Sequence, residues 1–418
     1  MSRVVVFIAL RQLWDRKLLN SIAVLGVTLG VLTLIGINGI MQGFQVKFLD
    51  NITKISPHVT VFDKLLLPAP PLLARYEDDF VAARVAHETP SDRQLRINRP
   101  AEIVRAIEGM EGVTAAAGSL VGSAVLAIGS KEYPVDLRGI DGARQDRVTP
   151  ISQYVVKGSY RALAGTPDGI LLGSGVASKM GANLDDLVVV GSPLGQRLNL
   201  KVVGIFDAGI PPVDNLRVYV TLHNAQTLLG KPDIVGRVEV QLADSAAAPA
   251  FAAVVERMFG YDAESWQETN ANFLNLFKMQ DSIIGFVVGA ILAVGGFGIL
   301  AIQIMIVLQK TRDIAILRSV GFRRGDILFA FLLQGAIVAL VGAAVGDVGG
   351  HYVLVALSHL KTHTEGLVKS ETFLVYDDPR FYWYGAGFAL LVGLFASVIP
   401  ALRGSRVEPV DVLRGQLG

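Results

Sequence analysis

Four long apolar runs constrain this chain more than any other feature. Leu18–Gly43, Ser282–Leu308, Ile327–Leu357 and Phe381–Leu402 hold a single acidic residue between them, Asp347. A helix needs about 20 mostly apolar residues to cross a bilayer. Backbone groups in lipid must pair within their own segment, so each run reads as a transmembrane helix. The first is too long for a cleaved signal peptide and no small-residue cleavage motif follows it. The remaining composition agrees: 18% of the 418 residues are charged, against about 25% in soluble domains. A net charge of +1 without a basic block argues against a nucleic-acid-coating protein. With no cysteine, disulfides, thiolate catalysis and Cys-ligated metal centres are excluded.

Basic residues near the span ends set the expected orientation. Arg3, Arg11, Arg16 and Lys17 precede the first span, Lys310, Arg312, Arg318, Arg323 and Arg324 separate the second from the third, and Arg403, Arg406 and Arg414 follow the fourth. These segments read as cytoplasmic, and both termini with them. The expected fold is therefore an α-helical membrane protein with four transmembrane helices and a large α+β extracytoplasmic domain between the first and second spans. Residues 1–44 form an amphipathic elbow and first span, 45–280 the outer domain, and 281–418 a three-helix domain. Within the elbow, Val6, Phe7, Leu10, Leu13 and Trp14 recur at helical spacing, which suits an interfacial helix.

In the outer region Pro100–Gly112 reads as a helix with proline near its start. Ala124–Ile128 and Tyr133–Leu137 read as a hairpin turned at Gly129-Ser130. Gly169–Leu172, Leu187–Val190, Leu198–Phe206, Val218–Thr221 and Arg237–Leu242 read as strands, and Gly175–Met180, His223–Leu229 and Ala246–Phe259 as helices. Leu65–Arg99 reads as an insertion, proline-rich at first and then polar.

The sequence lacks enzyme motifs. It has no Gly-x-x-x-x-Gly-Lys-Ser/Thr phosphate loop, and Ser174 lies in Gly173-Ser-Gly175 rather than in a nucleophile elbow. His359 and His363, with Glu365 nearby, lack a supporting second shell and read as a solvated loop. Asp347, about 30 Å along its helix, reads as an interfacial carboxylate paired with His351 or water. Gly26 and Gly30, Gly285 and Gly289, and Gly342, Gly346 and Gly350 follow small-x-x-x-small spacing, which lets helix backbones approach closely and suits a dimer.

Lys310-Thr-Arg-Asp-Ile-Ala-Ile-Leu-Arg-Ser-Val-Gly321 and the closing Pro400-Ala-Leu-Arg-Gly-Ser-Arg-Val-Glu-Pro-Val-Asp-Val-Leu-Arg414 resemble the cytoplasmic loop and last segment of the FtsX/MacB/LolC-type ABC permeases. Leu25-Gly-Val-Thr-Leu-Gly-Val and Ile40-Met-Gln-Gly-Phe44 look most like the lipoprotein-releasing permeases LolC and LolE. So do Gly169-Ile-Leu-Leu-Gly173 and Leu200-Lys-Val-Val-Gly-Ile-Phe206.

The resemblance implies a non-enzymatic permease in the inner membrane of a Gram-negative cell. It implies a dimer, with a second copy or a paralogue, served by two copies of a separate cytoplasmic ATPase. ATP and Mg would be bound by that partner, and this chain would carry no cofactor or metal. Within the loop 309–326, Arg312, Asp313, Ile314, Ile316, Leu317, Arg318 and Gly321 would form the coupling helix, with Ile314 and Leu317 in a groove of the ATPase. Leu34, Ile37, Met41 and Phe44 would line the cavity for the acyl chains of a lipoprotein or other amphiphilic cargo, with Phe286 and Leu292 facing them. Val190–Leu198 is short where LolC has a longer hook for its periplasmic carrier, which argues against direct carrier docking or makes this the LolE-like partner; Leu65–Arg99 would replace the hook or dock a different partner such as an adaptor. The other readings are a MacB-like efflux permease working with an adaptor and an outer-membrane channel, and an FtsX-like regulator of cell-wall hydrolases.

Overall fold

The computed structural model describes residues 2–63, 96–365 and 369–408. Most of the Leu65–Arg99 insertion therefore lies outside the described residues. The chain divides into a helical unit, Met1–Val46 with Asn275–His363 and Ser370–Gly418, and a sheet unit, Lys47–Leu274 with Thr364–Lys369.

Two helices open the chain, α1 (Ser2–Asp15) and α2 (Lys17–Ile55). The strands of the large sheet are β1 (Val59–Phe62), β2 (Val113–Ile128), β3 (Lys131–Ile140), β4 (Val155–Gly158), β5 (Gly169–Gly173), β6 (Leu187–Gly191), β7 (Arg197–Phe206), β8 (Arg217–Thr221), β9 (Arg237–Leu242) and β10 (Asp262–Ser265). Their order is β10-β1-β9-β2-β3-β8-β5-β7-β4, with β6 bridging β2 and β7. The sheet is mixed: β3 and β8 run parallel, as do β5 and β7, and β2 pairs antiparallel with β3 and with β9. Helices α3 (Pro100–Glu108), α4 (Gly142–Val148), α5 (Tyr160–Gly165), α6 (Ser174–Met180), α7 (Pro211–Asp214), α8 (Leu222–Leu228), α9 (Ala248–Phe259) and α10 (Trp266–Thr269) surround it. One core gathers Leu126, Leu137, Ile170, Val202 and Val220 with α6 and α8. A second gathers Val59, Ile107, Val238, Val240 and Val255 with α3 and α9.

His58, 6% exposed, precedes β1. Its Nδ1 accepts the Leu242 N–H at 3.2 Å. Burial holds its pKa below the usual 6.5, against opposing hydrogen bonds and the charge of Asp244. The unfolded chain therefore binds this proton more readily than the folded one. Its contribution is fully present above pH 6.5 and is lost as pH falls through the lowered folded value. Urea titrations between pH 7 and pH 5 are expected to show this loss, and His58→Gln to flatten it.

The remaining helices are α11 (Ala271–Gln309), α12 (Thr311–Ser319), α13 (Arg324–Ser358) and α14 (Pro379–Ser405), with the short hairpin β11 (Lys361–Glu365) and β12 (Lys369–Thr372) before the last. Four of the helices, α2, α11, α13 and α14, are long and apolar enough to cross a membrane. Glycine sets how closely they pack. A Cβ added at Gly342, Gly346 or Gly350 of α13 would lie 2.8, 2.8 or 2.9 Å from the Cβ of Val27, Val31 or Ile35 on α2. The pairs rise together, so these two helices run parallel. Gly30 on α2 has the same role toward α11, where an added Cβ would meet Leu292 at 2.5 Å. Gly26 lies 3.4 Å from the Gly295 backbone by the same measure. An added Cβ at Gly285 or Gly289 meets nothing within 4 Å, so neither sets the packing of a helix in this chain. Within the chain, the close approach of α11 to α2 falls further along, at Leu292 and Gly295.

Polar groups tie the bundle inside. Gln303 Nε2 donates to Ser397 Oγ at 3.0 Å, Thr28 Oγ1 to the Gly342 carbonyl at 3.1 Å, and Gln334 Nε2 to Gln12 Oε1 on α1 at 2.6 Å. The outside is apolar, with Leu18, Phe286, Phe297 and Phe395 all more than half exposed, as lipid contact requires. Gly346→Ala is expected to destabilise the helical unit by roughly 1–3 kcal/mol. Gly36→Ala, which meets nothing within 4 Å, is expected to be neutral or stabilising. Thermal unfolding of the two variants in one detergent checks the contrast.

Candidate functional site

Two of the segments that carried the resemblance, the Lys310–Gly321 loop and the closing segment, meet at one end of the helical unit. The α12 helix starts after Lys310, whose Nζ holds Asp313 Oδ2 at 2.9 Å. It ends at Ser319, and Gly321, two residues on, turns the chain with a φ of +108° that favours glycine. Asp326 opens α13 by accepting the Arg323 N–H at 2.8 Å. Arg318 Nη1 donates to the Val407 carbonyl, and Arg324 pairs with Glu408 at 3.7 Å. The loop and the closing segment thus form one surface. Residues 409–414 of the closing motif lie outside the described residues.

The structure redistributes the roles on α12. Ile314 is 2% exposed and packs with Ile306, Val307, Ile327, Phe331 and Ala401. Leu317 is half-buried against the same cluster. Ile314 is therefore part of this chain's own core and is not available to a partner, which corrects the expectation that it fills an external groove. The side chains left outward are Arg312, Asp313, Ile316, Ser319 and Val320. Ile316 is 46% and Val320 76% exposed, one helical turn apart. Val320 went unassigned in the sequence reading, although its spacing from Ile316 was visible there.

The expected cargo residues also separate. Leu34 and Leu292 are buried in the helical core and line no open surface, because Gly30 leaves the space that Leu292 occupies. Ile37, Met41 and Phe44 are half-buried. Met41 accepts a hydrogen bond from Gln280, and the Phe44 ring stands edge-on to Phe277 at 6.1 Å. Phe286 is 78% exposed. The structure thus leaves Ile37, Met41, Phe44 and Phe286 accessible, in whole or in part, to an apolar ligand.

Asp347 and His351 line an open cavity of about 560 Å³ with Asp377 and Tyr382. Of the two partners expected for Asp347, His351 or water, His351 is engaged elsewhere. Its Nδ1 lies 2.9 Å from Asp377 Oδ2 and 3.3 Å from Tyr382 Oη, and Tyr382 donates to Asp377 at 2.6 Å. Asp347 Oδ1 is buried without a hydrogen-bond partner. Of the other histidines in the sequence reading, His359 caps α13, while the His363 side chain lies outside the described residues. Among the described residues no group of three His, Asp or Glu could hold a metal ion.

Comparison with known families decides the assignment. The model for the MacB-like periplasmic core domain matches residues 21–258, more than half the chain, and that for the FtsX-like permease C-terminal domain matches residues 285–409. The chain belongs to the FtsX/MacB/LolC family of ABC transporter permeases. It is 26% identical to the lipoprotein-releasing system transmembrane protein LolC of Xylella fastidiosa, covering 95% of this chain and 94% of that one. It is 24% identical to the uncharacterized ABC transporter permease YknZ of Bacillus subtilis, covering 97% of each. The macrolide export ATP-binding/permease protein MacB of Agrobacterium fabrum is 22% identical, covering 96% of this chain and 59% of that one. As an FtsX/MacB/LolC-family permease, the chain joins four apolar helices to a MacB-like domain with a mixed sheet.

Proposed function

We propose that this permease couples ATP hydrolysis by a separate cytoplasmic ATPase to the release of a lipidated cargo, a lipoprotein, from the inner membrane. The observation that carries the reading is the match to LolC over nearly the full length of both chains. Both termini and α12 face the cytoplasm, as the basic residues beside the spans require. The sheet unit, between the first and second spans, lies outside. Residues 1–44, 45–280 and 281–418 act as elbow with first span, periplasmic domain and FtsX-like domain.

In this reading α12 docks on the ATPase through Ile316 and Val320, with Arg312 and Asp313 at the rim. Two copies of that ATPase bind ATP and Mg and serve a permease pair, either two copies of this chain or one with a paralogue. Ile37, Met41, Phe44 and Phe286 face the acyl chains. Each buried CH₂ contributes roughly 0.8 kcal/mol. Moving an acyl chain from lipid to an apolar wall is therefore nearly neutral, and expulsion to a carrier is the step that needs ATP. The MacB relative supports a second reading, in which the sheet unit works with a periplasmic adaptor and an outer-membrane channel.

Affinity purification of the native complex in mild detergent, followed by mass spectrometry, separates the two. An ATPase recovered with acylated lipoproteins supports lipoprotein release. An ATPase recovered with an adaptor and a channel, without lipoproteins, overturns it in favour of efflux.

A further inference from the structure

Side chains alternate along a strand, and in the sheet unit this sorts two unlike faces. Leu120, Leu137, Val218, Val238 and Val240 point into the apolar cores. The other face is charged. Register places Thr60 beside Glu239, Ser119 beside Arg237, and Asp136 beside Arg217. Such a face is ordinarily solvated, but this one is largely covered. The side chains of Glu239, Arg217 and Arg138 are 3%, 14% and 17% exposed.

The hydrogen bonds on this face are unevenly shared. Glu239 is satisfied: Oε1 accepts from Ser119 Oγ at 2.8 Å, Oε2 accepts from Gln145 Nε2 at 2.6 Å, and Arg138 Nη1 lies 3.7 Å from Oε1. Arg138 also holds Asp136 through Nε at 3.3 Å. Burial works against the Arg138 charge, but Glu239, Tyr219 and Asp136 leave its pKa raised. Arg217 fares differently. Its Nε stands 3.8 Å from Asp136 Oδ2, too far for a hydrogen bond, and is buried without a partner. Arg237, at the open edge of this face, is exposed and forms no ion pair among the described residues. Glu264, exposed beside Thr60, is a third carboxylate on this face, yet the three guanidinium groups share their cavity with Glu239 alone among these acids.

Arg138, Arg217 and Arg237 line one cavity of about 230 Å³ with Glu239. Its remaining wall is largely apolar, with Phe48, Ile52, Ile210, Val213, Trp266 and Phe273. An orphaned buried donor costs free energy until a ligand satisfies it. A guanidinium fork fits a carboxylate or phosphate group. A cation would be repelled, a neutral apolar molecule would leave Arg217 unsatisfied, and a bare anion would leave the aromatic wall unused. The cavity is also smaller than the ~300–1,000 Å³ of drug-sized sites.

We propose that this cavity binds a small amphiphilic anion, with a carboxylate or phosphate head on Arg217 and Arg237 and a short apolar body against Trp266, Phe273 and Ile52. The proposal does not rest on the lipoprotein reading and stands whichever cargo the permease moves.

The test uses the full chain in nanodiscs. Of its 3 tryptophans, Trp14 and Trp383 are replaced by Phe, so that Trp266 reports from the cavity wall. Hexyl phosphate and hexanoate, titrated separately, are the probes, and the better binder identifies the head group. The expected result is saturable perturbation of Trp266 emission by at least one probe, weakened by about tenfold or more in Arg217→Gln and in Arg237→Gln. Hexylammonium and inorganic phosphate are expected to bind far more weakly. Equal responses in parent and arginine variants would show partition into the lipid and overturn the proposal. So would tight binding of hexylammonium, or no saturable response to either probe. Should an arginine variant misfold, Val213→Phe fills the cavity while keeping all three arginines; undiminished binding there also overturns the proposal.

Discussion

Glu239→Ala is expected to cost the sheet unit about 3–5 kcal/mol. The substitution leaves the Arg138 guanidinium buried with Asp136 as its only remaining acid, strands the hydroxyl of Ser119 and leaves the Gln145 amide only its bond to Thr149. Breaking a buried pair from one side is more harmful than removing both, because the surviving charge keeps its desolvation cost. The double variant Glu239→Gln with Arg138→Met is therefore expected to recover much of the loss. Urea unfolding followed at Trp266 measures both. An alanine variant as stable as the parent would mean that water reaches Arg138.

The second large effect separates two residues of α12 that the sequence treats alike. Ile314→Asp places a carboxylate among Ile306, Val307 and Phe331 and is expected to unfold this end of the helical unit, with loss of the protein from the membrane. Ile316→Asp with Val320→Asp is expected to leave expression and thermal stability unchanged. It should weaken ATPase association by about 2–4 kcal/mol, the scale of an interface hot spot. Co-purification with the ATPase, alongside a stability measurement on the permease alone, reads both. Undiminished association in the double variant would remove α12 from the coupling role.

Why the sequence misled at Ile314 is physical. Helical spacing marks an apolar face but carries no information on whether that face meets the same chain or another one. The four spans were legible because lipid leaves few alternatives to a long apolar helix. The hairpin at Gly129-Ser130 was legible because a local turn sets it, and β2 and β3 pair directly across it. The first half of β2, Val113-Thr-Ala-Ala-Ala-Gly-Ser119, escaped notice because Ala and Gly have little strand preference of their own. It becomes a strand by pairing with β9, more than a hundred residues away in the chain. The charged cavity escaped for a related reason. Arg138, Arg217 and Glu239 each look like the solvated member of an alternating strand, and only the long-range register brings them together.

The parallel seam between α2 and α13 has a mechanical corollary. Val27, Val31 and Ile35 fit against Gly342, Gly346 and Gly350 with one period on both sides, four residues or about 6 Å of helix rise. Sliding one helix by a full period would return two of the three side chains to glycine notches but set the third against Val338 or Leu354, and half a period would drive them against backbone. Such a seam works as a detent: it holds the two helices in one axial register and resists sliding in either direction.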